Sequence, residues 1–532
     1  MDTSEVQSAY QTLRSDAEEH HSGRRAMYRV AVQVGHGSRA VGAEDIVAAV
    51  RESLPHNAFM VVAGDDGASF AMPQLLVVTP EARWHRFPRV TPEHARHVMS
   101  HVASRNVFGS IENNDFYTRQ TRWTLDLCGV LAATDIDDYV LHGGYSGLAK
   151  SLAMSPEDVI ERVKASGLRG RGGAYFPAAL KWESARSFKN EPRYLVVNCE
   201  EGEPGIFKDR HLMEGVPHRI LEGMAIAAYA SGVNHAYIYI NAEANLSAER
   251  MQDAYNQAIE KGIFGKNILD SGFVLHVEIM RGAGGYVCGE ETTLLNTMEG
   301  YRREPRLRPP FPTEAGLWAK PTVINNAETL ASLPYILDKG ADEYAAIGTD
   351  SDKGTKIISI SGAVRRPGIA EVPMGTTLRE LVYDIGGGIR DDRPLTAIAV
   401  GGPSSGVLPV SMLDTPIKPS FLHQSGVMLG AGGVIAIDDS MSVLEVVRGL
   451  AAYNADESCG KCTPCREGTP RMVELLDKLS DGHATGEDLS SLRELAQTVN
   501  AASLCGLGQA AGNPILSALH FFGDELALLS ES

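Results

Sequence analysis

The sequence predicts an α/β multidomain chain that ends in a helical bundle holding an iron–sulfur cluster. Three observations carry this. The chain has 532 residues, which at about 150 residues per domain makes three or four domains. Apolar strands alternate with capped-helix signals through most of its length. Of its 7 cysteines, four fall near the C-terminus, Cys459, Cys462 and Cys465 as one tight trio and Cys505 beyond them. The composition, 43% hydrophobic and 22% charged, is that of a folded globular protein. Acidic residues outnumber basic ones, 67 to 49, for a net charge of −18. A general nucleic-acid role would need a basic surface and is excluded. No apolar run approaches the roughly 20 residues of a membrane span. The opening MDTSEVQSAY lacks the basic-then-apolar order of a signal peptide. The expectation is a cytoplasmic protein with no nucleic-acid partner and no direct membrane span.

Residues 1–26 read as a polar amphipathic helix, an arm for docking a partner. In 27–105 the segments YRVAVQV, FMVVA and QLLVVTP read as strands, followed by a helix capped by Thr91 with Pro92 at its first position. Residues 106–150 form a connector with Cys128. Ser155 caps a helix in which Pro156 suits the first turn and Gly167 the stop. The loop after it crowds Gly167, Gly170, Gly172 and Gly173 beside Arg169 and Arg171. Such a loop bares N–H groups to an anion, and arginines add charge; a plain turn between helices is the alternative. It lacks G-x-x-x-x-G-K-[ST] and the strand-first G-x-G-x-x-G order, which disfavours a nucleoside-triphosphatase or ordinary Rossmann site.

The strand RYLVVNCEEGEPG (193–205) ends in Glu200, Glu201 and Glu203. Carboxylates accept hydrogen bonds from sugar hydroxyls and amides, so glycine loop and acids together describe a nucleotide or flavin site with two ends, unless the acids form only a solvated turn. Residues 281–300 repeat the theme, with Glu290 and Glu291 after Gly289. Arg308 and Phe311 offer a cation and a ring to stack on a base, and VINNAET supplies Ile324, Asn325, Asn326 and Thr329. The tail 441–532 is helical by periodicity. A cysteine trio plus one distant cysteine is spacing for a [4Fe–4S] cluster, with zinc, which prefers separated pairs, as the alternative. Cys128, Cys199 and Cys288 are scattered bystanders, and His20, His21, His94, His97 and His101 read as surface residues.

GLRGRGGAYFPAALKW, NCEEGEPG, CGEET, RPPFP, VINNAETLASL and ESCGKCTPCREG…SLCGLGQ resemble, in order from about residue 150 to the end, the flavin-bearing, NADH-oxidising subunit of respiratory complex I. The same module serves NAD-linked formate dehydrogenases and soluble NAD-dependent or bifurcating hydrogenases. The resemblance implies FMN, NAD(H) and a [4Fe–4S] cluster on Cys459, Cys462, Cys465 and Cys505. It implies that Gly170, Arg171, Gly172, Gly173 and Lys181 cradle FMN, that Asn198, Glu200 and Glu201 hold its ribityl chain and ring edge, and that Ile324, Asn325, Asn326 and Thr329 close the site. Glu203, Gly289, Glu290 and Glu291 fall to the nicotinamide and ribose side, Phe176 and Phe311 to the adenine, and Glu201 and Glu203 to catalysis. Flavin chemistry suits the task, because a hydride carries two electrons and a cluster accepts one.

The implied domains are a thioredoxin-like ferredoxin domain (27–105), an α/β FMN- and NAD(H)-binding domain (151–350), a ubiquitin-like β-grasp domain (354–440) and the helical cluster domain (441–532). In the first, Gln33, Ser38, Asp65 and Ser69 occupy the four ligand places, so it is expected to carry no cluster. The implied partners are a small ferredoxin-like [2Fe–2S] subunit and a catalytic or electron-relay subunit of formate dehydrogenase, hydrogenase or related type. The sequence departs from the family pattern at Tyr175, usually glycine, at Glu200, usually aspartate, at Ser184, where an aromatic is common, and at Arg308, usually lysine. Because Tyr175 falls beside the nucleotide pocket, a second reading is an FMN and iron–sulfur hub that trades electrons among proteins without NAD(H).

Overall fold

The computed structural model describes residues 3–108, 115–419 and 427–530; parts of the connector and of the β-grasp span lie outside them. Helix α1 (Thr3–His20) opens the chain. Its apolar stripe, Val6, Tyr10, Leu13 and Ala17, is buried in the core of the central domain, and Tyr10 OH donates to Gly144 O at 3.3 Å. This corrects the docking arm. An apolar stripe at helical spacing gains about 1.5–3 kcal/mol per large side chain by burial, and here the chain's own core supplies the surface.

Strands β1 (Tyr28–Gln33), β2 (Ala58–Ala63), β3 (Leu75–Val78) and β4 (Trp84–Phe87) form a sheet in the order β2-β1-β3-β4. The β1–β2 pair is parallel, crossing over through α2 (Ala43–Ser53), and the other two pairs are antiparallel. Helix α3 (Pro92–Ala103) starts as expected, with the Thr91 side chain accepting the His94 N–H. This is the thioredoxin-like arrangement.

In the central domain α4 (Pro156–Ala165) is capped by Ser155 and α5 (Ala178–Ser187) follows the glycine loop. The sheet comprises β5 (Tyr194–Cys199), β6 (His235–Ile240), β7 (His276–Arg281) and β8 (Thr322–Asn326), all parallel in the order β7-β6-β5-β8. Helices α6 (Lys208–Gly215), α7 (Pro217–Ser231), α8 (Asn245–Glu260), α9 (Glu291–Met298) and α10 (Ala327–Ala331) accompany it. In register, Asn198 lies opposite Asn326 and Cys199 opposite Ile240, so the carboxyl ends of the strands are level. The winding runs outward from β5 through β6 and β7, then returns to put β8 on the other side of β5. That reversal is a topological switch point, where open α/β sheets bind ligands.

The β-grasp domain pairs β9 (Thr355–Gly362) with β10 (Gly368–Pro373) as a hairpin and adds β11 (Leu395–Val400), β12 (Gly406–Pro409) and β13 (Gly433–Asp438) in the order β10-β9-β13-β11-β12, with β13 parallel to β9. The helix expected after the hairpin is a short π-helical turn at residues 380–385. Helices α11 (Val443–Asp456), α12 (Thr463–Ser480), α13 (Gly486–Ala502) and α14 (Asn513–Phe521) make the terminal bundle. Among the described residues no helix is long and apolar enough to cross a membrane.

Candidate functional site

The glycine loop lies against the carboxyl end of β8. Arg171 N–H donates to Thr329 Oγ1 at 2.8 Å, and a Cβ on Gly172 would come within 3.0 Å of Asn326 Cβ. From α5, Trp182 Nε1 donates to Asn325 Oδ1 at 3.0 Å, and Lys181 Nζ to Ile324 O at 3.0 Å. Asn198, at the end of β5, donates to Gly289 O at 2.9 Å and accepts the Glu200 N–H at 3.1 Å. Gly170, Gly172, Lys181, Asn198, Gly289, Asn325, Asn326 and Thr329 therefore converge on the switch point. Glu291 joins the rim through Lys181 (3.5 Å) and Arg308 (2.9 Å). Phe176 and Phe311 are half exposed, at 52% and 54%.

Three expected roles are corrected. Arg171 does not offer its guanidinium to an anion: the residue is 1% exposed and donates to Tyr344 OH (2.9 Å) and Lys353 O (2.7 Å), ahead of the β-grasp domain. Glu201 accepts the backbone N–H groups of Asp209 (2.7 Å) and Arg210 (3.1 Å), so its carboxylate caps α6 instead of serving as a catalytic group. Glu290 caps α9, accepting the N–H groups of Thr292 and Thr293 at 3.0 and 2.8 Å. In each case an orphan amide or a buried partner claims the side chain.

Tyr175 has φ +52°, a conformation glycine adopts without strain, which accounts for the usual residue there. Its ring is buried among Ile358, Ile360 and Val434 of the β-grasp core, and its OH donates to Gly430 O at 3.0 Å. The hydroxyl thus fills its valence on the β-grasp domain, while Arg171, Glu328, Lys208 and Glu203 remain its charged neighbours. Ser184 Oγ donates to Thr313 Oγ1 at 2.9 Å.

Two acids stand out electrostatically. Burial pushes Glu200 up to about 7, with Glu457 and Glu243 adding to the rise, although Asn241 donates to it; its Oε2 is buried without a hydrogen-bond partner. Burial likewise pushes Glu203 up to about 7, against the opposing hydrogen bond from Tyr286 OH at 2.8 Å. An orphaned acceptor lying against Gly282 and Gly289 at the end of β5 fits a flavin's hydroxyl and imide groups.

Sequence reasoning missed a buried ionic network beneath this site. Lys208 and Lys356 are both 0% exposed and share Glu328. Lys208 Nζ also donates to Asp209 Oδ1 (2.7 Å) and Asn326 Oδ1 (3.3 Å), while Asn326 Nδ2 donates to Asp209 Oδ2 (2.7 Å). Burial lowers Lys356 to about 8 despite Glu328. On Lys208 burial is outweighed by Asp209, Glu328 and Glu201, and its value rises. Only the Glu-Pro-Gly context near Lys208 hinted at a role; Lys356 reads as an ordinary strand-start lysine.

The four C-terminal cysteines meet in one patch with Val287, Leu507 and Tyr286. Cys462 and Cys505 occupy N-cap positions of α12 and of the turn Gly506–Ala510. Burial, with Cys462, Cys505 and Cys459 nearby, pushes Cys465 up to about 11 in the metal-free chain. Four convergent thiols are the donor set of a [4Fe–4S] cluster. Tyr286 touches this patch while its OH reaches Glu203, so thiols and strand-end acids are one residue apart. Cys128, Cys199 and Cys288 are buried elsewhere.

A family model for the Nuo51 FMN-binding domain matches residues 163–335, one for the NADH-ubiquinone oxidoreductase-F iron–sulfur binding region matches 445–528, and one for the SLBB domain matches 357–408. The chain is 44% identical to the HndC subunit of the NADP-reducing hydrogenase of Solidesulfovibrio fructosivorans over 76% of this chain and 83% of that one. It is 43% identical to the F subunit of the NADH-quinone oxidoreductase of Streptomyces coelicolor over 77% and 89%. A chain of the NAD+-reducing [NiFe]-hydrogenase, crystallised in the H2-reduced state, superposes with TM-score 0.69 at 28% identity, covering 94% of this chain and 84% of that one. Identity at this level over most of both chains places the protein in the family of the NADH-quinone oxidoreductase F subunits.

Proposed function

We propose that the chain exchanges hydride between NAD(H) and an FMN held at the β5–β8 switch point, and passes single electrons to or from partner subunits through a [4Fe–4S] cluster on Cys459, Cys462, Cys465 and Cys505. The observation that carries this is Tyr286, which bonds Glu203 at the strand ends and packs against the cysteine patch. FMN, when bound, supplies the conversion between two-electron and one-electron chemistry. Gly170, Gly172 and Gly173 let backbone approach the ligand, with Lys181 adding charge. Asn198, Asn325 and Asn326 fix the pocket wall, and Glu200 accepts a hydrogen bond at Oε2. Glu203 holds a proton shared with Tyr286 on the nicotinamide side. Glu291, held by Lys181 and Arg308, meets the ribose, and Phe176 and Phe311 flank the adenine. The partners are a small [2Fe–2S] ferredoxin-like subunit and a catalytic or relay subunit of formate dehydrogenase, hydrogenase or related type, in the cytoplasm.

Anaerobic titration with NADH tests this. Bleaching of the flavin is the expected result. A flavin reduced by dithionite but not by NADH or NADPH would overturn the nucleotide half.

A further inference from the structure

Helix α6 connects two distant places. At its start Glu201 caps its amides, and Lys208 and Asp209 hold Asn326, which the glycine loop contacts at Gly172. At its end it meets the N-terminal domain, at the loops where a ferredoxin of this topology keeps cluster ligands. There His36 N–H donates to Glu214 Oε2 at 2.8 Å, and His36 Nδ1 bonds Oε1. Ser247 OH donates to the same carboxylate at 2.9 Å. Arg250 links Glu214 O to Val34 O. Backbones touch as well: a Cβ on Gly64 would lie 2.4 Å from Gly215 Cα, and one on Gly35 would lie 2.3 Å from Asp65 Oδ2 and 3.1 Å from Glu214 Oε2. At 1.5 Å per residue the helix separates these contacts by only about 10 Å.

We propose that the cluster-less N-terminal domain is a bracket that holds α6 by its C-terminal end, and that His36 and Gly64 are thereby positioning residues for the flavin at the helix's other end. This rests on the reading of the switch point as an FMN site. The two lost-ligand loops do not merely pack: they place one backbone donor, one imidazole and a glycine-to-glycine contact on the last turn of the helix whose first turn organises Asn326. With those contacts released, the end of the helix keeps Ser247, Arg250 and the core packing of Leu212 and Met213, and Lys208, Asp209 and Asn326 lose part of what fixes their register with the glycine loop.

The test uses the full-length chain, stripped of FMN and retitrated with FMN alone, with flavin midpoint potential and iron content read on the same preparations. Gly64→Ala wedges the contact without altering any flavin-domain residue, and His36→Ala removes the imidazole. Displaced outer partners of a bound group cost about tenfold in affinity or more, so FMN binding weakens by about that factor in Gly64→Ala and the potential shifts, while iron stays unchanged. Unchanged FMN affinity and potential in both variants, with the wild-type chain binding FMN, overturns the bracket and leaves the site intact. A wild-type chain that takes up no FMN overturns the site reading and the bracket with it. Loss of both FMN and iron from Gly64→Ala marks misfolding, and His36→Ala, on a partly exposed side chain, then decides by the same two readings.

Discussion

In the N-terminal domain Gln33, Ser38, Asp65 and Ser69 stand where the resemblance to a ferredoxin domain places cluster ligands, whereas the C-terminal bundle has all four thiols. The two loops differ in how their polar valences are filled. Gln33 Oε1 accepts the Asp66 N–H (3.3 Å) and Gln74 Nε2 (3.1 Å). Asp66 accepts from Ala68 N–H (3.1 Å), Gln74 (2.9 Å) and Tyr117 OH (3.1 Å). Ser38 Oγ accepts the Gly35 N–H at 2.7 Å. The cysteines instead face one another, with Ser458 Oγ at 3.2 Å from Cys465 and a few amides as their neighbours. Most polar groups of the N-terminal loops pair with one another, because a buried group without a partner is costly, although Asp65 Oδ1 stays buried without one; the four cysteines leave their sulfurs convergent.

The largest expected break in this contrast is Cys462→Ala. It abolishes the iron–sulfur absorbance and leaves FMN bound; unchanged iron content would refute the ligand set. Next comes Asp66→Ala, which strips partners from Gln74, Tyr117 and the Ala68 amide and uncovers Arg86 and Arg122. A loss of about 2–4 kcal/mol in urea unfolding is expected, with iron unchanged. Iron loss from Asp66→Ala would mean that the N-terminal loops hold metal after all.

How far such a contrast is readable before folding depends on what fixes each side chain. Ser155 and Thr91 cap as expected because a cap is a local contract between a side chain and amides two or three residues on. The helix 443–456 follows from its own periodicity. Strand β4 escaped notice because it is short, at the sheet edge, and buries only Phe87 fully. At the site, residue types were read correctly and directions were not. Glu201 and Glu290 are acids beside glycines like Glu203, yet each faces a helix start, one distant in sequence and one its own. The direction of Arg171 is set by Tyr344, more than a hundred residues away. Lys208 and Lys356 meet across Glu328 only once the β-grasp domain has docked, and nothing in either neighbourhood announces it.

Tyr175→Phe sharpens the comparison from the flavin side, where a residue unusual for the family fills its valence on the β-grasp domain. Removing the hydroxyl leaves Gly430 O short of a donor and should cost about 0.5–1.5 kcal/mol in denaturant unfolding. The KM for NADH should not move, since the hydroxyl removed is the one given to Gly430 O; a raised KM would place Tyr175 in the nucleotide pocket.

The smallest effect separates two buried acids by sign. Asp66 lies below its ordinary value of 3.8, because Arg122 and Arg86 outweigh burial, so its contribution to stability is present above that value and lost as pH falls. Glu203 lies above its ordinary value of 4.5, at about 7, through burial. Its contribution is complete below 4.5 and is lost as pH rises through 7. Thermal unfolding of the FMN-free chain at about pH 5 and about pH 8 should therefore show a fall in Tm that Glu203→Gln reduces by a few degrees, with Glu200, also near 7, and Glu222, pushed up to about 6 by burial, contributing to the remainder. A fall of equal size in the wild type and Glu203→Gln would show that Glu203 does not titrate in this window. The proton assigned to the Glu203–Tyr286 pair would then have to reside elsewhere.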